Sequence, residues 1–388
     1  MIAWSIAHSV MTILPERFLR RFYAPLSQGY GSLSRRVYPA LILPPLRILL
    51  LLTTRCNLSC PYCIARDGLN VPETDRLTLH EWKRVVDSIP RGTVVSLEGG
   101  EPFLFPEIME LLDMLLASRR RVTAVTNGTA LTPERVTRLV QGGLLYLGVS
   151  IDGMEDYHNR VRGHPQAFQR STAALRMLRD EKARLNSARP VTCVKTCLTS
   201  DNYEEIPRLL QYVEDELAVE DFRINFLVAN PILRVLQPGL VESMDDPAFQ
   251  VGNTFVYEPD HIPRIQEALR FVFERQKRSR MTISFDPEMS EADALAYVEN
   301  PARFGVRRCS LPLNEFTIHY NGDVSPCLSL RVDNLRALDY DVRRIVGHPR
   351  YREFLARHFA RMPGARACQG CVSMRHTAQR GDDGGAGR

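Results

Sequence analysis

Three cysteines lie close together near the start of the chain, in the stretch RCNLSCPYC (55–63). Cys56, Cys60 and Cys63 have the spacing CxxxCxxC. Three thiolates on one loop can hold three corners of an iron–sulfur cubane, and one iron is then left open to another ligand. A structural zinc site normally takes four ligands, commonly in two separated pairs. The spacing therefore favours a cluster with an open iron.

Four further cysteines lie near the C-terminus. Cys309 and Cys327 frame a glycine in the pattern CX12GX4C, and Cys368 and Cys371 form a CxxC pair. On spacing alone, two such pairs suit zinc and a second iron–sulfur cluster equally well. The sequence thus predicts a second metal centre and leaves its metal open.

Short apolar, β-branched runs alternate with helical patterns, which indicates parallel strands joined by helices. Thr78 with Glu81 forms a capping box, and Thr132-Pro133 is typical of a helix start. FTIHY, Asn321-Gly322 and VSPC predict a β-hairpin with a type I′ turn. Six βα units predict a parallel sheet, either open or closed partway into a barrel. The predicted strands are 48–53, 93–97, 121–126, 144–151, 191–198 and 222–228.

Each polar, glycine-rich stretch directly follows a predicted strand. RCNLSCPYC follows the first strand, EGGEP (98–102) the second and NGT (127–129) the third, and the fourth strand ends in SIDG (150–153). The carboxyl ends of parallel strands share one edge of a sheet, and ligands bind at that edge. The four stretches are therefore predicted to form one site.

The cysteine loop resembles the signature of the radical S-adenosylmethionine (SAM) enzymes, including the aromatic residue Tyr62 before the last cysteine. The resemblance implies that Cys56, Cys60 and Cys63 ligate a [4Fe–4S] cluster, whose open iron is chelated by SAM. Reductive cleavage of SAM would yield methionine and a 5′-deoxyadenosyl radical that abstracts a hydrogen atom from the substrate. Tyr62 is expected to lie near the adenine.

Two other loops strengthen this resemblance. Gly99, Gly100 and Glu101 resemble the GGE motif of the family. The glycines would let the backbone approach the ligand closely, and the Glu101 carboxylate suits the ammonium group of the methionine moiety. Asn127 is a weaker candidate for a contact with the ribose.

The fourth loop is similar to the pattern SxDG…R of one large branch of the family. Ser150 and Asp152 occupy the SxDG positions, and Arg162 follows twelve residues after Ser150. The resemblance implies that the serine and the arginine contact the methionine carboxylate. Arg160 is an alternative for the arginine role, and a turn or surface salt bridge is the alternative for the pattern.

The C-terminal cysteines resemble the SPASM/twitch extension of these enzymes. Because no cysteine follows Cys371, the shorter twitch-like form is expected, with one auxiliary [4Fe–4S] cluster held by Cys309, Cys327, Cys368 and Cys371. A full set of ligands favours electron transfer over direct binding of substrate. Zinc remains the alternative.

Cys193 and Cys197 lie four residues apart in a predicted strand and share a face with Lys195. If that face lines the barrel, either thiol could donate a hydrogen atom to a substrate radical. Buried, inert thiols are the more common case. The opposite face, with Thr192, Val194 and Thr196, is an equal candidate for the interior.

The charge distribution and the cysteine content indicate the partners and the compartment of the protein. Residues 1–47 carry six arginines and one acid, which accounts for the whole net charge of +5. The balanced remainder gives no nucleic-acid signal. Residues 1–23 mix aromatic residues with arginines, as an interfacial helix would, although a helix packed on the protein is the alternative. Nine cysteines without an export signal predict a cytoplasmic protein, with a peripheral membrane contact left open.

The predicted fold is α/β: a partial (β/α)6 barrel with a small C-terminal α+β iron–sulfur domain. The predicted regions are an N-terminal extension (1–47), the barrel (48–228), a variable connector (229–300), the auxiliary-cluster domain (301–375) and a disordered tail (376–388).

The predicted function is hydrogen abstraction from a peptide or natural-product substrate, with net oxidation or cross-linking through the auxiliary cluster. A flavodoxin or ferredoxin would donate electrons. The alternatives are a redox-neutral epimerase acting on a small molecule, sugar or lipid-linked substrate, and a non-catalytic iron–sulfur or zinc scaffold.

Overall fold

The structure of the protein is a computed structural model, which describes residues 29–227, 236, 247, 257–286, 288–300, 309–327 and 330–360. The predictions for residues 1–23, for Cys368 and Cys371 and for the tail (376–388) lie outside the described residues. Among the described helices, none is both long and apolar enough to cross a membrane.

The six predicted strands are confirmed, with shifts of one or two residues at their ends. All six run parallel, and they lie side by side in chain order. They are β1 (Arg47–Leu51), β2 (Val94–Glu98), β3 (Arg121–Thr126), β4 (Tyr146–Ser150), β5 (Val191–Leu198) and β6 (Asp221–Phe226).

The sheet extends beyond these six strands on both sides. β7 (Thr282–Asp286) pairs with β6 in parallel, and β8 (Glu315–His319) pairs in parallel with β1. β9 (Asp323–Ser325) and β10 (Asp333–Asn334) continue the sheet antiparallel. The order is β10-β9-β8-β1-β2-β3-β4-β5-β6-β7, so the C-terminal hairpin continues the sheet of the barrel. The seventh parallel strand was missed, because it lies in the region predicted as an irregular connector.

The predicted hairpin of β8 and β9 is confirmed, but its turn is not of type I′. A type I′ turn needs positive φ at both central residues. Here Gly322 has a φ of 90°, whereas Asn321 is not among the residues with positive φ. The Gly322 N–H donates to the His319 carbonyl at 2.8 Å, which closes the turn one residue earlier.

The helices begin where the capping signals predict. Thr78 Oγ1 accepts from the Glu81 N–H at 3.3 Å, and the Thr78 N–H donates to Glu81 Oε2 at 2.8 Å. Thr132 accepts from the Arg135 N–H at 3.3 Å. Residues 29–37 are also helical. The longer helices are Leu79–Ser88, Ile108–Ala117, Pro133–Gln141, Glu155–Arg162, Ala167–Arg184, Glu205–Tyr212, Ile262–Gln276, Glu291–Glu299 and Pro349–Ala360.

The two faces of β4 to β7 differ in chemistry. One face is mostly apolar: Leu147, Val194, Phe222 and Phe285 belong to the same buried core as the surrounding helices. Because side chains alternate along a strand, the remaining residues point away from the helices. We call this second side the inner face; it carries Tyr146, Gly148, Ser150, Cys193, Lys195, Cys197, Asp221, Arg223, Asn225, Thr282, Ser284 and Asp286.

Candidate active site at the carboxyl edge of the sheet

The cysteine loop begins directly after β1. Leu58, Cys60 and Ala167 form a small buried cluster, and Cys56, Tyr62 and Cys63 pack against it. Burial raises the pKa of Cys56 to about 11, and Glu101, Cys60 and Cys63 add to this effect because their charges lie close by. The loop thus brings the three predicted cluster ligands together.

These thiols suit an iron–sulfur cluster in their chemistry. Within the described residues, no group of three or more His, Cys, Asp and Glu side chains has the geometry of a finished metal site. The donor set is nevertheless the right one, since three thiols come from one loop and Arg162 Nη1 lies 3.5 Å from Cys60 Sγ as a charged hydrogen-bond donor.

Two polar residues that the sequence analysis missed hold the start of this loop. Asn70 brackets Cys56: its Oδ1 accepts from the Cys56 N–H at 3.0 Å, and its Nδ2 donates to the Cys56 carbonyl at 3.1 Å. Glu73 Oε1 accepts from Thr53 Oγ1 at 2.6 Å and from the Thr54 N–H at 2.5 Å. No recognisable spacing marks these residues, because most of their partners are backbone groups and short hydroxyl side chains.

The GGE loop packs on the cysteine loop. A Cβ on Gly100 would lie 2.3 Å from the Arg55 carbonyl oxygen, and one on Gly99 would lie 2.8 Å from that of Thr53. The Gly100 N–H donates to the Thr53 carbonyl at 2.8 Å, and the Glu101 N–H donates to that of Arg55 at 2.7 Å. In this structure the glycines therefore allow two loops to approach each other, whereas the sequence predicted an approach to the ligand.

Glu101 is fully buried, and its carboxylate accepts three hydrogen bonds. The donors are the Phe103 N–H at 3.1 Å, Thr126 Oγ1 at 2.7 Å and the Asn127 N–H at 2.7 Å. Burial raises the pKa of Glu101, and these donors oppose the rise. The carboxylate joins the loops after β2 and β3; its contact with a methionine ammonium remains a prediction.

Asn127 connects the loop after β3 to the cysteine loop. Its Nδ2 donates to Asn57 Oδ1 at 3.0 Å, and its Oδ1 accepts from Thr129 Oγ1 at 2.6 Å. Asn57 Nδ2 donates to Thr129 Oγ1 at 2.8 Å. The three side chains form a closed network. Asn127, the residue predicted to contact the ribose, therefore lies beside the cysteine loop.

Asp152 is the centre of the site, and it is completely buried. Its Oδ2 accepts from Tyr62 Oη at 2.5 Å and from Arg162 Nε at 2.6 Å. Its Oδ1 accepts from the Cys197 N–H at 3.0 Å. Burial alone would raise the pKa of Asp152, but the Arg162 charge and the hydrogen bonds hold it below its ordinary value. One carboxylate therefore connects two side chains and one backbone N–H from three separate segments.

Arg162 is the arginine that belongs to this site. It is buried, it pairs with Asp152 (Nη2 to Oδ2, 2.5 Å) and it reaches Cys60. Arg160 is exposed, and its guanidinium stacks over the Tyr157 ring at 5.2 Å, so it lies away from the site. Ser150 ends β4 on the inner face, directly beside Lys195 of β5.

Two buried residues that the sequence analysis did not single out support Asp152. His158 Nδ1 accepts from the Asp152 N–H at 3.1 Å. Burial and the Arg162 charge lower the pKa of His158 to about 3, which keeps the ring neutral. Asn202 Nδ2 donates to the carbonyls of Asp152 at 3.0 Å and Cys197 at 2.7 Å. His158 lies only six residues after Asp152 in the sequence, so it was easier to find from the sequence than Asn202.

The two strand cysteines differ in depth. Cys193 is fully buried, and its thiol donates to the Val194 carbonyl at 3.2 Å. Cys197 is half-buried and lies at the end of β5 beside Asp152. Burial raises the pKa of the Cys193 thiol to about 11 and that of Cys197 to about 12. Both thiols are therefore protonated at neutral pH, and Cys197 is the one at the site.

Of the four C-terminal cysteines, the structure describes Cys309 and Cys327. Cys309 is buried, and Cys327 packs against the main core. Burial lowers the pKa of His358, while a hydrogen bond with the backbone at Cys309 opposes the shift. The helix Pro349–Ala360 thus passes Cys309 shortly before the chain reaches Cys368 and Cys371.

The carboxyl edge of the parallel sheet gathers three thiols, a buried Asp–Arg pair and a GGE loop, and in parallel α/β folds ligands bind at this edge. The chain matches the family model of the Radical SAM superfamily over residues 50–213. It also matches the model of the SPASM iron-sulfur cluster-binding domain over residues 309–372. The protein belongs to the radical SAM superfamily and carries a SPASM domain. The first domain implies a SAM-binding [4Fe–4S] cluster, and the second implies auxiliary clusters.

Several characterised proteins are similar to part of this chain. An AdoMet-dependent heme synthase from Methanosarcina barkeri is 33% identical over 180 residues, which is 46% of this chain and 49% of that protein. A PqqA peptide cyclase from Bradyrhizobium diazoefficiens is 30% identical over 174 residues, 43% of each chain. The aligned region thus spans less than half the length of these relatives.

Solved structures share the fold at lower identity. SuiB from Streptococcus suis, bound to S-adenosylmethionine, has a TM-score of 0.56 and 17% identity over 80% of this chain and 68% of its own. The protein anSMEcpe with bound AdoMet has a TM-score of 0.55 and 18% identity over 81% of this chain and 84% of its own. Both support the predicted partial barrel with a C-terminal extension.

Proposed function

We propose that this protein cleaves SAM reductively and abstracts a hydrogen atom from a peptide or natural-product substrate, with net oxidation or cross-linking of that substrate. The observation that carries the proposal is the network around Asp152. Its carboxylate holds Tyr62 and Arg162, and Arg162 in turn reaches Cys60. A non-catalytic scaffold would have no need of a buried ion pair that contacts one of the three cysteines of this loop.

Each residue has a defined part in this proposal. Cys56, Cys60 and Cys63 would hold the cluster through their thiolates. Arg162 would donate an N–H to the Cys60 sulfur and offer its charge to the methionine carboxylate, together with Ser150. Tyr62, fixed through its hydroxyl, would present its ring to the adenine. When bound, the cluster and SAM supply a one-electron reduction and a carbon radical that takes a hydrogen atom from the substrate.

The remaining proposed roles lie in the loops after β2 and β3 and in the C-terminal region. Glu101 would bind the methionine ammonium and Asn127 the ribose. Cys309, Cys327, Cys368 and Cys371 would ligate an auxiliary cluster able to accept the second electron of an oxidation. A flavodoxin or ferredoxin would provide the first electron.

The substrate class rests on the named relatives alone. Those relatives include heme synthases, a PqqA peptide cyclase and a mycofactocin maturase. Their names point to a peptide or a natural-product precursor, which agrees with the class proposed here.

Reductive cleavage of SAM tests the proposal. The protein, reconstituted under anaerobic conditions, is reduced with dithionite and assayed for 5′-deoxyadenosine by liquid chromatography. The wild type is expected to form it, whereas Cys56/Cys60/Cys63→Ala is expected to form none. Glu101→Ala is expected to reduce it strongly while the iron content is retained. A wild-type protein with a complete cluster that never cleaves SAM, with or without candidate substrates, contradicts the proposal.

Redox-neutral epimerisation is a second candidate, favoured by the position of Cys197 at the site. One hydrogen atom would leave the substrate carbon, and another would return from Cys197 Sγ–H. The thiyl radical left on Cys197 would then need one electron and one proton from the external donor. With a substrate in hand, epimerisation in D₂O predicts one non-exchangeable deuterium in the product, and Cys197→Ala removes it. A product that has lost two hydrogens supports oxidation instead.

Residues 1–23 carry a separate proposal, a peripheral contact with a membrane. Liposome sedimentation of the full-length protein and of a variant lacking residues 1–23 tests it. Equal binding of the two proteins would remove the proposal.

A further inference from the structure

One lysine of this chain stands apart from the others. The sequence contains four lysines, all within the described residues. Lys83 pairs with Asp87, Lys182 with Glu220 and Lys277 with Glu274. The Lys195 side chain forms no ion pair or hydrogen bond with any residue that the structure describes. A half-buried ammonium without a partner costs free energy, because part of its hydration is lost without compensation.

Lys195 lies in a row of polar residues across the inner face. The strand register places it directly between Ser150 of β4 and Arg223 of β6, and Arg223 lies opposite Ser284 of β7. Like charges directly opposite each other on neighbouring strands destabilise a sheet. The row Ser150–Lys195–Arg223–Ser284 therefore combines two cations and two hydroxyls and contains no acid.

The acids near this row act on Arg223, and neither of them forms an ion pair with Lys195. Asp221 and Asp286 lie one row to either side, and both raise the pKa of Arg223 against the effect of its burial. Arg223 also donates from Nε to Ser284 Oγ at 3.2 Å. Lys195 has only the thiols Cys193 and Cys197 on its own strand face, and both are protonated because burial raises their pKa.

The backbone makes room for this lysine. Its side chain lies across Gly148, where a Cβ would be 2.8 Å from Lys195 Cδ and 3.2 Å from Cγ. Glycine is unfavourable in the middle of a strand, since it adds flexibility and contributes no packing. A glycine here frees the space that the lysine occupies on the inner face.

Apart from Ser150, which belongs to the proposed SAM site, the residues of this row lie deeper in the sheet than the Asp152 network. Lys195 precedes Cys197, whose N–H binds Asp152, by two residues, which is about 6–7 Å along a strand. The cation beside the cysteines is Arg162, which is already paired with Asp152. Lys195 lies further along the inner face, and its side chain has no ion-pair partner. Its position therefore suits the binding of a second ligand.

We propose that Lys195 and Arg223 bind a carboxylate of the enzyme's substrate, with the Lys195 ammonium as its main counter-ion. This inference rests on the proposed function and narrows it to substrates that carry a carboxylate near the reacting carbon. The carboxylate of SAM has the same chemistry, so the experiment must distinguish these two sources.

Protection of Lys195 from reductive methylation tests the proposal. The SAM-loaded holoenzyme is treated anaerobically with formaldehyde and a borane reductant, and methylation of each lysine is measured by peptide mass spectrometry. The probe is glutarate, and glutaramide is its neutral control of the same shape. Glutarate is expected to slow methylation of Lys195 about tenfold at about ten times its Kd, and glutaramide is expected to have no effect. Lys83, Lys182 and Lys277 serve as internal controls in the same sample.

A second arm identifies the source of the carboxylate. SAM alone is compared with decarboxylated SAM, which lacks the carboxylate, on holoenzyme without glutarate. The proposal expects Lys195 to react equally with both. If SAM protects Lys195 and decarboxylated SAM does not, the site belongs to SAM and the proposal is overturned.

Two other results also overturn it: equal effects of glutarate and glutaramide, and a Lys195 that stays unreactive without any ligand. Gly148→Ala keeps the charge but displaces the lysine, and it is expected to reduce the protection by glutarate. Formation of 5′-deoxyadenosine, measured after dithionite reduction of the same preparation, reports separately on the proposed function.

Discussion

The two faces of β4 to β7 show how one set of strands serves two purposes. The face toward the helices is buried and mostly apolar, with Leu147, Val194 and Phe222 in one continuous core. The inner face carries charged and hydroxylated residues, and beyond its carboxyl end lies the buried Asp152–Arg162 pair. Burial of apolar area stabilises the fold, whereas a buried ion pair adds little net stability because both charges lose their hydration. Substitutions on the helix-facing side are therefore expected to change the free energy of unfolding, and substitutions on the inner face or at its carboxyl end are expected to change function.

Asp152→Asn should have the largest effect, because it acts on both properties. The change leaves Arg162 buried without its counter-ion, which typically costs about 3–5 kcal/mol of unfolding free energy. It also releases Tyr62, so the affinity for SAM should fall. Urea unfolding and equilibrium dialysis with SAM measure the two effects. Asp156→Asn, which changes an exposed aspartate in the helix Glu155–Arg162, is the matched control. An Asp152 variant with normal stability and SAM affinity would contradict the central position of this carboxylate.

Phe222→Ala should lower the stability of the protein without changing its affinity for SAM. This side chain is fully buried in the helix-facing core. Its truncation leaves a cavity and should lower the free energy of unfolding by about 3–5 kcal/mol. The affinity for SAM, measured below the unfolding transition, should stay unchanged. A large loss of SAM affinity in the folded variant would show that the faces are coupled.

Acid should destabilise the C-terminal hairpin through His319. Burial lowers the pKa of this histidine from 6.5 to about 4. Between these two values the unfolded chain binds the proton and the folded chain does not, so stability falls as the pH drops from 6.5 to 4 and is retained above 6.5. The largest loss from this residue is about 3 kcal/mol. In His319→Gln, the decrease in unfolding free energy between pH 7 and pH 5 should be smaller; an unchanged decrease would argue against this origin.

Thr132→Ala should have the smallest effect, since it removes one helix cap at the surface. The loss of the hydrogen bond to the Arg135 N–H should cost about 1 kcal/mol. Its midpoint of urea unfolding should fall slightly, and its 5′-deoxyadenosine formation should equal that of the wild type. A change in cleavage would mean that the helix Pro133–Gln141 influences the site.

The sequence predicted the parts of this molecule that depend on local pattern. The apolar runs located β1 to β6, and the glycine-rich loops located the edge where Cys60, Glu101 and Asp152 meet. The pairing of β8 with β1 was not predictable, because it joins residues more than 260 positions apart. The inward direction of Lys195 was equally undecided, since a strand pattern shows alternation without showing which face the helices cover.

Within the site, the motifs were predictable and their contacts were not. Glu101 matched a motif, yet its three hydrogen bonds come from neighbouring loops of the chain itself. Asn70, His158 and Asn202 escaped prediction, because their partners are mostly backbone groups that no sequence pattern reports.

Iron and sulfide counts on the anaerobically reconstituted protein test the central claim most directly, beside the Cys56/Cys60/Cys63→Ala variant. The variant should lose one [4Fe–4S] cluster, about four iron and four sulfide, and keep whatever the C-terminal cysteines hold. The variant's far-UV circular dichroism should match that of the wild type. Equal iron and sulfide in the two proteins would contradict the assignment of this loop as the site of the SAM-binding cluster.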